Sequence, residues 1–112
     1  MVAKSAIFGF SVGNAPKIVK GLVDLTKISP EEAIMDCTID IGEPAAEIKW
    51  YKNGKQISAG KKYEMSYKNK RAELKIPTTE IDDGAEYRCE ASNIMARVDT
   101  KGTLTVHSEY GK

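Results

Sequence analysis

Two cysteines, one histidine and a pair of adjacent aspartates are the residues of this 112-residue chain best suited to chemistry. Cys37 and Cys89 could serve as nucleophiles, redox partners or metal ligands. Cys89 is closely framed in "DDGAEYRCEASN" (Asp82 to Asn93), with Asp83 six residues before it and Tyr87 two before it. Each chemical role needs company. A reactive thiolate needs an electropositive, accessible setting, and a metal needs three or four ligands. His107 is the only imidazole in the chain, and one imidazole without partners makes no metal site. Asp82 and Asp83 sit where a turn is expected, and aspartate bonds nearby backbone amides in turns. No glycine-rich phosphate loop is present. The sequence is read as non-enzymatic, with no catalytic, cofactor-binding or metal-ligating residues. The framed cysteine is then a reactive thiol or a piece of scaffold, and the elements that carry it decide between them.

Lys plus Arg number 17 and Asp plus Glu 16, so the net charge is close to zero. That balance excludes a protein that coats nucleic acid by neutralising phosphates. A hydrophobic content of 41% and a charged content of 29% fit a soluble globular domain. The length fits one domain, able to bury about two-thirds of its unfolded surface. The apolar stretch "AIFGFSV" (Ala6 to Val12) is too short to cross a bilayer, so no membrane insertion is expected. Gly9 and Ser11 interrupt it and no clean cleavage pattern follows, so residues 1–15 read as a poorly ordered leader or linker rather than a signal peptide. No Asn-x-Ser/Thr sequon occurs, which tilts the reading toward an intracellular chain.

Alternation, not helical periodicity, organises the rest. In "AIMDCTID" (Ala33 to Asp40), Ala33, Met35, Cys37 and Ile39 share one face. This period of two marks a half-buried strand. "EIKWYK" repeats it with Ile48 and Trp50 inward, and Asn53-Gly54 follows as a type I′ hairpin turn. "KYEMSY" and "RAELKI" are joined by a polar "KNK", and "AEYRCEAS" turns Ala85, Tyr87, Cys89 and Ala91 inward. The last run, "RVDTKGTLTV", contains Gly102 as a bulge or a point of close approach. "PKIVKGLVDLTKI" (Pro16 to Ile28) reads as an apolar-rich extended segment cut by Gly21, expected to pair over Ile18 to Leu25 with Leu104 to Val106 or a neighbouring strand. Seven or eight short strands with turns between them predict an all-β antiparallel sandwich. Two such sheets lie about 10 Å apart, so inward residues from each can meet in the middle. Cys37 and Cys89 are on inward faces, and so is Trp50.

The order Cys37, Trp50, Cys89 resembles the immunoglobulin sandwich, most closely its intermediate (I) set, over about residues 16–107. Cys37 matches the strand B cysteine, Trp50 the strand C tryptophan and Cys89 the strand F cysteine. "RAELKI" resembles strand E. "DDGAEYRC" resembles the family pattern D-x-G-x-Y-x-C, with Asp83, Tyr87 and Cys89 in place and Ala85 where glycine is usual. "ASNIMAR" resembles A-x-N-x-x-G, with Ala96 at the usual glycine, so a tighter or differently shaped F–G turn is expected. The resemblance implies a two-sheet Greek-key fold with residues 108–112 as a tail. It makes Asp83, Tyr87 and the cysteines framework, with the Tyr87 hydroxyl bonded to backbone a few residues upstream. Whether the cysteines are bonded stays open. Outside the cell a bridge could stabilise by about 4 kcal/mol; in the cytosol they would remain reduced, small apolar residues.

Charge is unevenly spread. Lys49, Lys52, Lys55, Lys61, Lys62, Lys68, Lys70, Arg71 and Lys75 fall within one span, opposed there only by Glu64 and Glu73. A one-sided basic domain attracts and orients acidic partners: an acidic filament such as actin, or heparan sulfate outside the cell. The same lysines also suit a solvated face that blocks edge pairing. "PKIVKGL" resembles the first strand of modules in giant muscle proteins of the titin, twitchin and obscurin class. That likeness implies a cytoplasmic, sarcomeric or cytoskeletal module that bears load, spaces neighbouring immunoglobulin or fibronectin-like domains and docks sarcomeric partners. The alternative is an extracellular module of an adhesion molecule or receptor.

Overall fold

Residues that alternate in the sequence become strands in the structure, a computed structural model that describes residues 13–108. In chain order the strands are β1 (Lys17–Lys20), β2 (Leu25–Ile28), β3 (Ala33–Asp40), β4 (Glu47–Lys52) and β5 (Lys55–Ile57). They continue with β6 (Glu64–Lys68), β7 (Arg71–Ile76), β8 (Ala85–Ser92) and β9 (Arg97–His107). A 3-10 turn, Ile81–Asp83, precedes β8. The strands form a five-stranded sheet, β2-β9-β8-β4-β5, and a four-stranded sheet, β1-β3-β7-β6. All pairings are antiparallel except β2 on β9.

The core lies between the sheets. On β3, Ala33, Met35, Cys37 and Ile39 are buried, while Ile34 and Asp40 face out. Ala72, Leu74 and Ile76 from β7 join them, with Trp50, Tyr87, Cys89, Ala91, Leu104 and Val106 from the other sheet. Burying a large aliphatic side chain is worth about 1.5–3 kcal/mol, so these interleaved faces dominate the stability.

The N-terminal segment is cut at Gly21, and its two pieces join different sheets. β1 joins the four-stranded sheet, with Ile18 opposite Ile39, whereas β2 joins the five-stranded sheet, with Leu25 opposite Leu104 and Ile28 opposite His107. This division, and the short β5, take the strand number to nine among the described residues. The crossing follows Gly21. There Leu22 turns inward with its N–H donating to Thr100 Oγ1 at 3.0 Å, and the Thr103 N–H donates to Asp24 Oδ1 at 2.9 Å. Gly102 makes the crossing possible. A Cβ at that position would lie 2.9 Å from Leu22 Cβ and 3.0 Å from the Val23 oxygen. β9 keeps unbroken register on β8 from Arg97 to Leu104, so Gly102 is a close approach and not a bulge.

Packing begins before Pro16. Within the expected leader, Asn14 bridges Glu43 through two backbone hydrogen bonds of 2.8 and 3.0 Å. The rest of that leader, residues 1–12, and the tail beyond Ser108 lie outside the described residues.

Both hairpin turns use left-handed backbone. Asn53 and Gly54 have φ of 49° and 83°, as Asn-Gly in a type I′ turn requires. Asn69 and Lys70 have φ of 53° and 69°. A lysine there carries a steric cost that glycine avoids. Lys70→Gly is therefore expected to stabilise the domain by about 0.5–1 kcal/mol, measured as a rise in the urea midpoint. An unchanged or lower midpoint would show that the turn holds no such strain.

Candidate functional site

β3, β4 and β8 position the framework. Trp50 on β4 stands opposite Cys89 on β8 within one sheet, and Cys37 reaches them from β3 in the other. Exposure is 3% at Cys37, 2% at Trp50 and 0% at Cys89, so water and reagents are excluded. Both thiols are free and hydrogen-bonded to each other, and that bond together with burial pushes the Cys89 thiol far above its ordinary range. A thiol so placed is neither a poised nucleophile nor an accessible ligand. Among the described residues, no three of His, Cys, Asp and Glu gather where a metal could bind.

Tyr87 and Asp83 build the corner before β8. The Tyr87 hydroxyl donates to the Asp83 carbonyl oxygen at 2.6 Å, four residues upstream. Burial, helped by Tyr63 and Asp83 nearby, raises its phenol well above the usual tyrosine range. The Asp83 carboxylate is buried, accepts the Glu80 N–H at 2.7 Å and pairs with Lys62 at 2.8 Å. Partial burial opposes the Lys62 charge, but the hydrogen bond and negative charge of Asp83 outweigh it and raise the ammonium above its ordinary value. Lys62 thus belongs to the framework as much as to any basic surface.

The structure does not bring the nine basic residues to one face. Lys49 lies on the outer side of the five-stranded sheet beside Glu47, while Arg71 and Lys75 lie on the outer side of the four-stranded sheet. Arg71 is paired with Asp36 and Glu73, and Lys75 with Glu32 at 3.1 Å and Glu64 at 3.8 Å. Lys52 donates to the Asp82 carbonyl oxygen at 2.7 Å. Lys68 and Lys70 belong to the β6–β7 turn, near the end where the Ile39 N–H meets the Lys70 oxygen. Lys55 and Lys61 project at the opposite end, near the turn that leads into β8. The span clusters in sequence because acids clustered elsewhere, and folding interleaves the two sets.

Three features were not read from the sequence. The outer face of the five-stranded sheet carries a network centred on Glu90, only 6% exposed. Its carboxylate accepts from the Tyr51 hydroxyl at 3.1 Å and Arg88 at 3.2 Å, and Arg88 stacks 4.1 Å from the Tyr51 ring centroid. Tyr51 and Glu90 are both outward positions of neighbouring strands, the one signal that could have located the group. The second feature is Asn93, whose side chain closes the β8–β9 turn on the Met95 and Ala96 N–H groups. The turn needs no left-handed residue at Ala96, which accounts for the absence of the usual glycine. The third is the exposed apolar pair Ile94 and Met95 at its tip, visible in "SNIMAR" as apolar residues inside a turn.

The family model described as the immunoglobulin I-set domain matches residues 16–106. The chain belongs to the immunoglobulin I-set family. Curated I-set relatives come from two settings. The muscle M-line assembly protein unc-89 of Caenorhabditis elegans is 32% identical over 101 residues, 89% of this chain and 1% of that protein. The membrane-bound isoform of pro-neuregulin-2 from Homo sapiens is 30% identical over 80 residues, 70% of this chain and 9% of that protein. This I-set domain thus spans a small fraction of the relatives it matches. Among solved structures, titin domain M7 superposes with a TM-score of 0.81 at 32% identity, covering 87% of this chain and 98% of that one. A complex of titin M10 with an obscurin-like 1 immunoglobulin domain gives a TM-score of 0.79 at 22% identity, covering 83% and 94%; that likeness is one of fold. The I-set sandwich and its muscle-protein relatives are the firm result, and it is a structural and interaction module.

Proposed function

We propose that this I-set domain is a non-enzymatic module of an intracellular muscle or cytoskeletal multidomain protein. In this reading it carries load along the chain, spaces its neighbours and docks sarcomeric proteins. The observation that supports it is the parallel pairing of β2 with β9, Leu25 to Ile28 against Leu104 to His107. Both strands run from the end near Asn14 toward the end near Ser29, whose N–H donates to the His107 oxygen at 2.8 Å. Tension applied to the two ends of the domain pulls β2 and β9 in opposite directions along their length. The pairs are then sheared together instead of peeled one by one. Similarity to unc-89 and titin domains supports the muscle setting, and the titin M10 complex offers an immunoglobulin partner as a precedent. With the basic residues divided between faces and ends, a mixed-charge protein neighbour fits the surface better than actin.

Thr105 tests the load path. It is exposed, so replacing it leaves the core alone, and proline removes a donor from the ladder. In single-molecule extension between reference domains, Thr105→Pro is expected to lower the unfolding force, while Thr105→Val retains it. Equal forces in folded wild type and Thr105→Pro would remove the load-bearing reading. The neuregulin relative favours a second setting, outside the cell. Staining of the native parent protein on intact cells would select it; staining only after permeabilisation selects the first.

A further inference from the structure

β6 is an open edge of the four-stranded sheet and the least guarded strand edge of the sandwich. It has five residues, against four in β1, four in β2 and three in β5. β1 breaks register between Ile18 and Lys20, whereas β6 pairs with β7 without a shift from Glu64 to Lys68. The two-residue turn at Asn69 and Lys70 makes Lys68 and Arg71 a hydrogen-bonded pair, so Glu64, Ser66 and Lys68 bond to β7. Met65 and Tyr67 then aim their N–H and C=O groups out of the edge. Among the described residues, neither has a backbone partner on that side. Unpaired groups of this kind are a template for another strand.

The sequence of β6, "EMSYK", is complementary to itself when reversed. About a two-fold axis through Ser66, Glu64 stands opposite Lys68 of a second copy, Met65 opposite its Tyr67, and Ser66 opposite its Ser66. Because Met65 and Tyr67 carry the outward groups, they become the hydrogen-bonded pairs, each exchanging both N–H···O bonds. The side chains divide to match. Glu64, Ser66 and Lys68 are exposed on the outer face. Lys68 has no ion pair among the described residues, and Glu64 has only a 3.8 Å contact with Lys75. Lysine on an edge ordinarily repels a second strand; here the strand itself supplies the glutamate that meets it. Met65 and Tyr67 turn inward and line a crevice of about 210 Å³ with Ile48 and Trp50. β5 pairs with β4 only from Trp50 to Lys52, so the Ile48 end beside the crevice is open. The Tyr67 hydroxyl donates to the Ile39 oxygen at 2.6 Å, which holds the ring in place. Paired, Met65 of the second copy lies against that ring in a thioether–aromatic contact.

We propose that β6 is a self-association edge, where two copies of this chain pair β6 against β6, antiparallel about Ser66. The two four-stranded sheets then become one continuous sheet. Such an interface is isologous, with each copy's Glu64 meeting the other's Lys68. One short strand a side is a small contact, so the dimer is weak by itself and gains strength where copies are held close together. It joins two parent chains sideways at this domain. The edge is separate from the β2–β9 ladder, so its test stands or falls without the load-bearing reading.

The test is sedimentation equilibrium of the full 112-residue chain, taken up to about 1 mM because a contact this small is weak. A reversible dimer is expected. Glu64→Lys and Lys68→Glu each turn both opposite-charge pairs of the dimer into like-charge pairs, and each is expected to weaken association by about tenfold. Mixed in equal amounts, the two variants are expected to associate with each other as well as wild type does, since every pair is again opposite in charge. Both positions are exposed, and Trp50 fluorescence reports that the core is unchanged. Ser66→Cys is expected to cross-link two copies under mild oxidation, whereas Thr105→Cys, on another exposed strand position, is not. A chain that stays monomeric throughout and does not cross-link through Ser66→Cys would overturn the proposal. So would a dimer that both single variants leave unchanged, which would place the contact on another surface.

Discussion

Trp50→Ala is expected to cost about 3–5 kcal/mol, the usual range for deleting a large buried aromatic. Small domains are stable by about 5–15 kcal/mol, and one of this size sits toward the lower end. The variant should therefore keep only a small part of the wild-type stability. The reason is position as well as size. The indole is 2% exposed, stands opposite Cys89 in its own sheet, and fills the space between the two sheets where Cys37 arrives from the other side. Removing it leaves a cavity that strands fixed by backbone ladders cannot close. Trp50→Phe, which keeps most of the volume, should lose distinctly less. Urea unfolding followed by far-ultraviolet circular dichroism gives both values. A loss below about 1 kcal/mol for Trp50→Ala would mean that the sheets collapse onto each other without the ring.

Stability should also fall steeply in alkali, and Tyr87→Phe should blunt that fall. Tyr87, Tyr63 and Tyr67 have phenols raised by burial, and Lys62 is raised by Asp83 over the opposing effect of burial. A folded-state value raised above the unfolded one gives stability that is complete below the unfolded value. That stability is lost as pH climbs toward the folded value. All four groups therefore act in the same direction, with the loss setting in at about pH 10, where tyrosine and lysine titrate in the unfolded chain. Each fully titrating group contributes a slope of about 1.4 kcal/mol per pH unit. Tyr87→Phe strands the buried Asp83 carbonyl and should cost about 1–3 kcal/mol at neutral pH. Between pH 10 and 12 its decline should be shallower than wild type by about one group's slope. Urea midpoints measured from pH 7 to 12 decide the matter. Parallel curves for the two proteins would mean that the phenol ionises as easily folded as unfolded.

Sequence and structure agree where the information is local. β3 was legible because Ala33, Met35, Cys37 and Ile39 alternate with polar partners, and the pleat turns that alternation directly into a buried face. Trp50 and Cys89 were legible because one residue type at one spacing suits the gap between two sheets. What could not be read depends on which strands become neighbours. Arg71 meets Asp36 from 35 positions away, and Lys62 meets Asp83 from 21. Nothing in the run of lysines reveals that those partners wait on an adjacent strand or corner. The division of Pro16 to Ile28 between two sheets likewise depends on Gly102, which admits Leu22 from a segment some eighty residues earlier. The Glu90 network needed the β4–β8 register before Tyr51 could be placed beside it.

β9 begins beside the Asn93 turn, where the chain enters the domain, and ends at His107, where it leaves. One strand thus runs the full distance between the two points of attachment. Its 11 residues, at about 3.3 Å each, set a length of about 36 Å. In a row of such units, as the proposed function has it, β9 would act as the graduation of a ruler. Insertions in the β3–β4 or β5–β6 loops thicken a unit and leave the scale intact, whereas two residues added within β9 would lengthen every repeat. Under the proposed spacing role, the measure would be a strand whose pitch the peptide bond fixes, so a row of such domains would hold a constant period while its surfaces diverge.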